Sequence, residues 1–468
     1  MLNKQIDLMK NDIIKSTQDI VKIPSVLSTS SKPTMPFGEE INNALEFTLE
    51  LGKKLGFRTK NIDGYCGYIE FGEGDELVGI IGHLDVVPTG EGWKFPPFSA
   101  TICDDKIYGR GTIDDKGPVI ASLYAMKAVM DTCKVHKRVR LILGLNEEND
   151  WKCIDYYKLH EEHPSIGFSP DADFPCIYAE KGILTTFIQQ EYTPHTDELL
   201  IIEDINCGNN AINVVPKICE VILKVNVNKT SIEEIYNELV KVIKNYSYNI
   251  EPSIMDNEHI KLISHGISAH AAHPHLGDNA ISKLLIVLND IFSIYKIDFN
   301  IFTLFAQYIN TELNGQSLKI NMPDESGDLT LNVGHFGFSE DFIEIGLNLR
   351  VPVNTHLENI ENSFEKLVNS YEDVSVKFTG KKEPLYVPKD STLVKTLCQI
   401  FTKVSGIEAE PVAIGGGTYA RAFDNFVSFG ANMPGNEDLC HQVNEYISID
   451  NLILCTKIYA EAIYELAK

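Results

Sequence analysis

Two apolar runs, "LVGIIGHLDVV" at residues 77–87 and "RVRLILGLNEE" at residues 138–148, decide the fold. Both are rich in Val, Ile and Leu without polar alternation and both end in polar residues, the pattern of buried strands. Between them "DKGPVIASLYAMKAVMDTC" (115–133) has helical apolar spacing after a Gly-Pro start. Strand, helix, strand in that order predicts a right-handed parallel crossover. In such sheets functional groups gather at the carboxyl ends of strands, where His83, Asp85, Glu147 and Glu148 all fall.

Outward from this unit the texture changes at about residue 184. Alternating strands such as "CEVILKVNVN" (219–228) and "FIEIGLNLRVPV" (342–353) interleave with amphipathic helices such as "SIEEIYNELVKVIKNY" (231–246). Near residue 384 the first pattern returns, with helices "STLVKTLCQIFTKVSG" (391–406) and "IDNLILCTKIYAEAIYEL" (449–466) flanking a Gly-rich segment. The fold expected is α/β. A discontinuous domain, 1–183 and 384–468, has a mostly parallel sheet flanked by helices, and 184–383 is an inserted α+β domain.

The 468 residues are too many for one ordinary core, which agrees with two domains. A formal charge of -25 makes nucleic acid and anionic membrane poor partners and attracts metal cations. Leu2, Ile6, Met9, Ile13 and Ile14 stand at helical spacing with charges between them, unlike a signal peptide, and no apolar run reaches membrane-spanning length. A soluble, cytoplasmic protein is expected. The ten cysteines show no CxxC pair and no disulfide rhythm, as reduced structural thiols would, with Cys440 standing beside His441.

Several short motifs carry candidate ligands, each with a plainer reading. His83-Leu84-Asp85 places two donors on one side of an extended segment, or caps a strand end locally. "YGRGTIDDKG" (108–117) sets Asp114 and Asp115 before a helix, where either would serve as an N-cap; it matches no phosphate-loop pattern. "NEEND" (146–150) and "FSPDADFP" (168–175) read singly as acidic turns, and "NEDLCHQVNEY" (436–446) offers His441 and Glu445. Taken together, His83, Asp114, Glu148, Asp171 and His441 are five nitrogen and oxygen donors without a thiolate. That is enough for two adjacent divalent ions sharing one carboxylate, with Zn first and Mn or Co as alternatives. Such a pair supports hydrolysis.

In their order, "GHLDVVPTGEGW", "YGRGTIDDKGP", "NEEND", "FSPDADFP", "SAHAAHP", "GGGTYARA" and "HQVNE" resemble the M20 family of metallopeptidases, most closely its PepV-like dipeptidases. The resemblance implies that His83 and Asp171 hold one metal, Glu148 and His441 the other, and that Asp114 bridges them. It makes Asp85 the group that orients His83 through the ring nitrogen turned away from the metal. It makes Glu147 the general base. His270 of "SAH" would donate to the developing oxyanion with Asn213 of "NVVP" as companion, and Arg350 of "LNLRVPV" would fix the substrate's terminal carboxylate. The plainer readings of those three are a core histidine, a turn asparagine and a salt-bridging arginine. The loop "GGGTYAR", through Gly416 and Thr418, either presents backbone N–H groups to the same carboxylate or is only a tight turn.

The expected function is therefore dimetal hydrolysis of dipeptides, with a small peptide as partner, by a monomer whose inserted domain acts as a lid that closes on substrate. An N-acyl-amino-acid deacylase or desuccinylase would need the same metals and different pocket residues. A non-catalytic peptide-binding protein on this scaffold would leave the donors and Glu147 without a task.

Overall fold

The two apolar runs form strands Leu77–His83 and Arg138–Gly144, buried almost throughout, which pair in parallel from Leu77 opposite Arg138 to His83 opposite Gly144. Their crossover is helix Lys116–Thr132, buried without interruption from Lys116 to Met126. It is apolar on every side because helices Leu2–Val21 and Ile449–Ala467 pack against it as well as the sheet. Strand Ile166–Ser169 pairs in parallel with Leu77–His83 on its other side, and Phe426–Ser428 follows in parallel.

Parallel pairing occupies the centre of a nine-stranded sheet among the described residues, and the flanks are antiparallel. Arg58–Ile62 and Cys66–Phe71 are joined by too short a turn for any other pairing, and Ile177–Glu180 runs against Phe426–Ser428. The computed structural model describes residues 1–30, 32–193, 197–208 and 211–468. By its internal contacts this first unit comprises Met1–Ala179 and Leu385–Lys468. No described helix is long and apolar enough to cross a membrane.

The second unit, Glu180–Pro384, is built on two four-stranded antiparallel sheets. One orders Thr330–Ser339, Phe342–Val351, Gly182–Glu191 and Val374–Lys382; the other orders Leu200–Asn206, Ile218–Val225, His259–His265 and Ile250–Ile254. Ile218–Val225 alternates half-buried and buried residues, as a sheet covered on one face must. Phe342–Val351 is buried at nearly every position, because helix Asn300–Tyr308 and its neighbours enclose that sheet. Helix Ile232–Tyr246 begins where Ser231 accepts the Glu234 N–H at 3.1 Å.

One expectation is corrected here. Cys207 and Cys219 are joined in a disulfide, so the cysteines are not all reduced. The antiparallel register, with Asn206 opposite Glu220, sets position 207 directly across from 219. A separation of twelve residues carries no such signal in sequence.

Candidate metal centre

Because His83 lies opposite Gly144 at the ends of two parallel strands, the segments that leave them run side by side, and the Leu84 N–H donates to the Gly144 carbonyl at 3.0 Å. Asp85 and Glu147–Glu148 are thereby brought together. Asp171 stands two residues past the end of the third parallel strand, and Asp114 precedes the crossover helix. His441 comes from the far end of the chain.

The Asp114 carboxylate lies between two imidazoles. Its Oδ1 is 3.0 Å from His83 Nε2 and its Oδ2 is 3.3 Å from His441 Nε2. Asp171 Oδ2 is 3.6 Å from His83 Nε2, and Glu148 Oε2 is 3.0 Å from His441 Nε2. The donors thus form two triads, His83–Asp114–Asp171 and Asp114–Glu148–His441, each with its donor atoms within 4.8 Å of one another. His83 Nδ1 is 2.9 Å from the Asp85 carbonyl, whereas Nε2 is buried without an aligned hydrogen bond and faces the carboxylates. A buried nitrogen in that state, amid hard oxygen donors, suits a divalent cation.

The crowding perturbs every group. Hydrogen bonds to Asp114 and Glu148 push His441 up to about 11. Burial, then the Asp114 charge, raises Glu148 to about 7. Burial also raises Asp171 to about 6, against the pull of His83. Burial alone would raise Asp114, but the imidazoles of His441 and His83 on either side hold it well below the usual carboxylate range. For His83, burial works downward and is outweighed by the Asp171 charge and the Asp114 and Asp85 carboxylates.

Asp85 meets the His83 ring on its Nδ1 side, through its carbonyl at 2.9 Å and its carboxylate Oδ1 at 3.5 Å, and the carboxylate also reaches across to the next strand exit. There Oδ1 accepts the Glu147 N–H and Oδ2 the Glu148 N–H, each at 3.1 Å. Asp115 occupies the N-cap position of the crossover helix without capping it; its Oδ2 accepts the His83 N–H at 3.0 Å.

Residues to which sequence reasoning gave no role hold this arrangement. Arg110, 2% exposed, donates to Glu445 Oε2 at 2.7 Å and to the carbonyls of Gln442, His441 and Pro88. Glu445 is fully buried and also accepts the N–H groups of Gly111, Ile113 and Asp114. An arginine inside the acidic "YGRGTIDD" loop was the available signal; its partner 335 residues away was not. Tyr419, also fully buried, stands edge-on to His83 and leaves no space for a side chain at Gly144.

Within the second unit, His270 is exposed and Asn213 lies beside it, because Val214 bridges His270 and the Ala271 N–H donates to the Asn213 carbonyl at 2.8 Å. Asn332 pins that segment through the carbonyls of Ile212 and Val214. Arg350 is 4% exposed on strand Phe342–Val351, with Nε 3.2 Å from Asn348 Oδ1. In the first unit Arg421 donates to the Gly416 carbonyl at 2.6 Å. The Thr418 hydroxyl is engaged by Ser428 and by the Ala420 N–H.

Comparison with known proteins follows the same lines. The family described as peptidase family M20/M25/M40 matches residues 79–465. The protein named "Putative dipeptidase YtjP" of Bacillus subtilis (strain 168) is 40% identical over 100% of both chains. Human carnosine dipeptidase 1 superposes with a TM-score of 0.60 at 16% identity, covering 100% of this chain and 98% of its own. The dipeptidase Dug1p of Saccharomyces cerevisiae gives 0.59 at 14% identity, covering 99% and 98%. The two structural likenesses concern the fold.

Proposed function

This chain belongs to peptidase family M20/M25/M40, and from that premise we propose that it is a dipeptidase that works with two divalent ions. The observation that carries the reading is the Asp114 carboxylate set between His83 Nε2 and His441 Nε2, with Asp171 and Glu148 completing a triad on either side. The donor set fits the ions: five nitrogen and oxygen atoms, no thiolate, and a buried imidazole nitrogen turned toward carboxylates. We take Zn as the native metal, with Mn or Co as the alternatives. What the ions supply when bound is Lewis acidity toward a peptide carbonyl and a lowered pKa for water.

The protein's own groups do the rest. Glu147 takes a proton from the attacking water and returns it to the departing amine. Asp85 keeps it in place by holding the N–H groups of both glutamates. His270, with Asn213 beside it, donates to the carbonyl oxygen as negative charge develops there. The Arg350 guanidinium pairs with the terminal carboxylate, and the backbone at Gly416 and Thr418 assists it. A fixed carboxylate site favours short peptides, because the scissile bond must lie one residue away. The reading also takes the enzyme as a cytoplasmic monomer, the latter supported by the size of the Glu180–Pro384 unit, which is proposed to serve as the lid.

The test is metal analysis together with turnover of a dipeptide library and of N-acyl and N-succinyl amino acids by Zn- and Mn-loaded protein. Two ions per chain and release of amino acids from dipeptides are expected. Turnover confined to the acylated amino acids would replace the dipeptidase by a deacylase, and peptide binding without turnover would leave a binding protein.

A further inference from the structure

We infer that Trp151 is a positioning residue for Glu147, an inference that rests on Glu147 being the base. The Trp151 indole Nε1–H donates to the Glu147 carbonyl at 2.8 Å. At the other end of the same residue, the Glu147 N–H is held by Asp85 Oδ1 at 3.1 Å. Glu147 is therefore gripped at both of its backbone polar groups. The carbonyl grip fixes the plane of the Glu147–Glu148 peptide, and with it the directions in which the two side chains leave the backbone.

Trp151 is itself held in an unusual state. Its φ is +61°, a left-handed conformation that a bulky side chain rarely adopts, at the N-cap of helix Lys152–His160. Its own N–H donates to the Asn146 carbonyl at 3.1 Å, closing the "NEEND" segment into a turn. The indole packs edge-on against Tyr419 with 5.1 Å between ring centroids. Tyr419 is in turn anchored through its hydroxyl, 2.8 Å from Cys153 Sγ, and stands edge-on to His83 at 6.2 Å. One aromatic wall thus backs the indole that holds the base and the imidazole that faces the metal site.

Packing and hydrogen bonding make opposite predictions for two substitutions. Trp151→Phe keeps an aromatic ring against Tyr419 and removes the donor. Trp151→His gives up most of the ring but can present an N–H through the same number of bonds from Cβ. Displacing a base by a fraction of an ångström costs turnover rather than affinity. For the Phe variant we expect kcat lower by about 10- to 100-fold, an unchanged KM and wild-type metal content. The His variant should exceed it in kcat per metal-loaded site, even if it melts earlier. A Phe variant as active as wild type, or more active than the His variant, would overturn the inference. Glu147→Gln in parallel separates the two claims: if it turns over normally, the base assignment fails; if it is dead while the Phe variant is normal, only the role of Trp151 fails.

Discussion

Glu147 and Glu148 are adjacent; Glu148 reaches the imidazole of His441, and burial beside Asp114 pushes its pKa up to about 7. Glu148→Ala should lower the metal content, whereas Glu147→Ala should keep both ions and lose about 10²- to 10⁴-fold in kcat. Metal analysis beside steady-state rates checks both; equal metal loss in the two variants would refute the division. The donors also make loading pH-dependent. His441 near 11, Glu148 near 7 and Asp171 near 6 lie above their ordinary values, so the metal-free site holds protons at neutral pH that ions must displace. Affinity should therefore rise with pH from about 6 to 8, with protons released on loading. Calorimetry in buffers of different ionisation enthalpy reads this; identical heats would show that no proton leaves. The residue types and their neighbours were legible in the sequence, since "NEEND" and "FSPDADFP" announce acids at strand exits. That the Asp85 carboxylate also holds the Glu147 and Glu148 N–H groups was not, because only the strand register sets which atom faces which neighbour.

At the level of elements, the site is a meeting of strand ends, one helix start and two loops, and the loops are tied by the Arg110–Glu445 pair at 2.7 Å. Both side chains are buried, so removing one partner strands a charge. Arg110→Met should destabilise the protein by about 3–5 kcal/mol, and Arg110→Met with Glu445→Gln by less. Thermal melts of the two variants measure it, and a loss for the single variant no larger than that of a surface pair, about 1 kcal/mol or less, would contradict the assignment. The elements themselves were readable wherever periodicity was clear. Helix Leu2–Val21 covers the apolar positions Leu2 to Ile14, Thr392–Ser405 falls within the span its spacing marks, with Ser391 capping it through the Val394 N–H, and Ile449–Ala467 overruns its span by one residue. The antiparallel flanks of the sheet were not foreseen, because pairing direction there follows from turn length more than from composition.

For the whole molecule, the α/β class followed from two apolar runs and the helix between them. The alternating strands and amphipathic helices after residue 184 read as an α+β part, and its two sheets are antiparallel. The Cys207–Cys219 bond escaped, because it joins neighbouring strands of one sheet at a spacing that no motif describes. Thiol titration of the denatured, unreduced protein should count eight of the ten cysteines, and a count of ten would remove the bond. The order of the donors along the chain has a further consequence, in time rather than space. Four of the five precede residue 172, and the fifth, His441, with the Glu445 that neutralises Arg110, follows the whole second unit. A ribosome adding about 5–20 residues per second needs roughly 15–50 s to travel from Asp171 to His441. Throughout that interval the nascent chain carries half a metal site and an unpaired arginine, so a chain released early has no complete centre with which to cut a peptide.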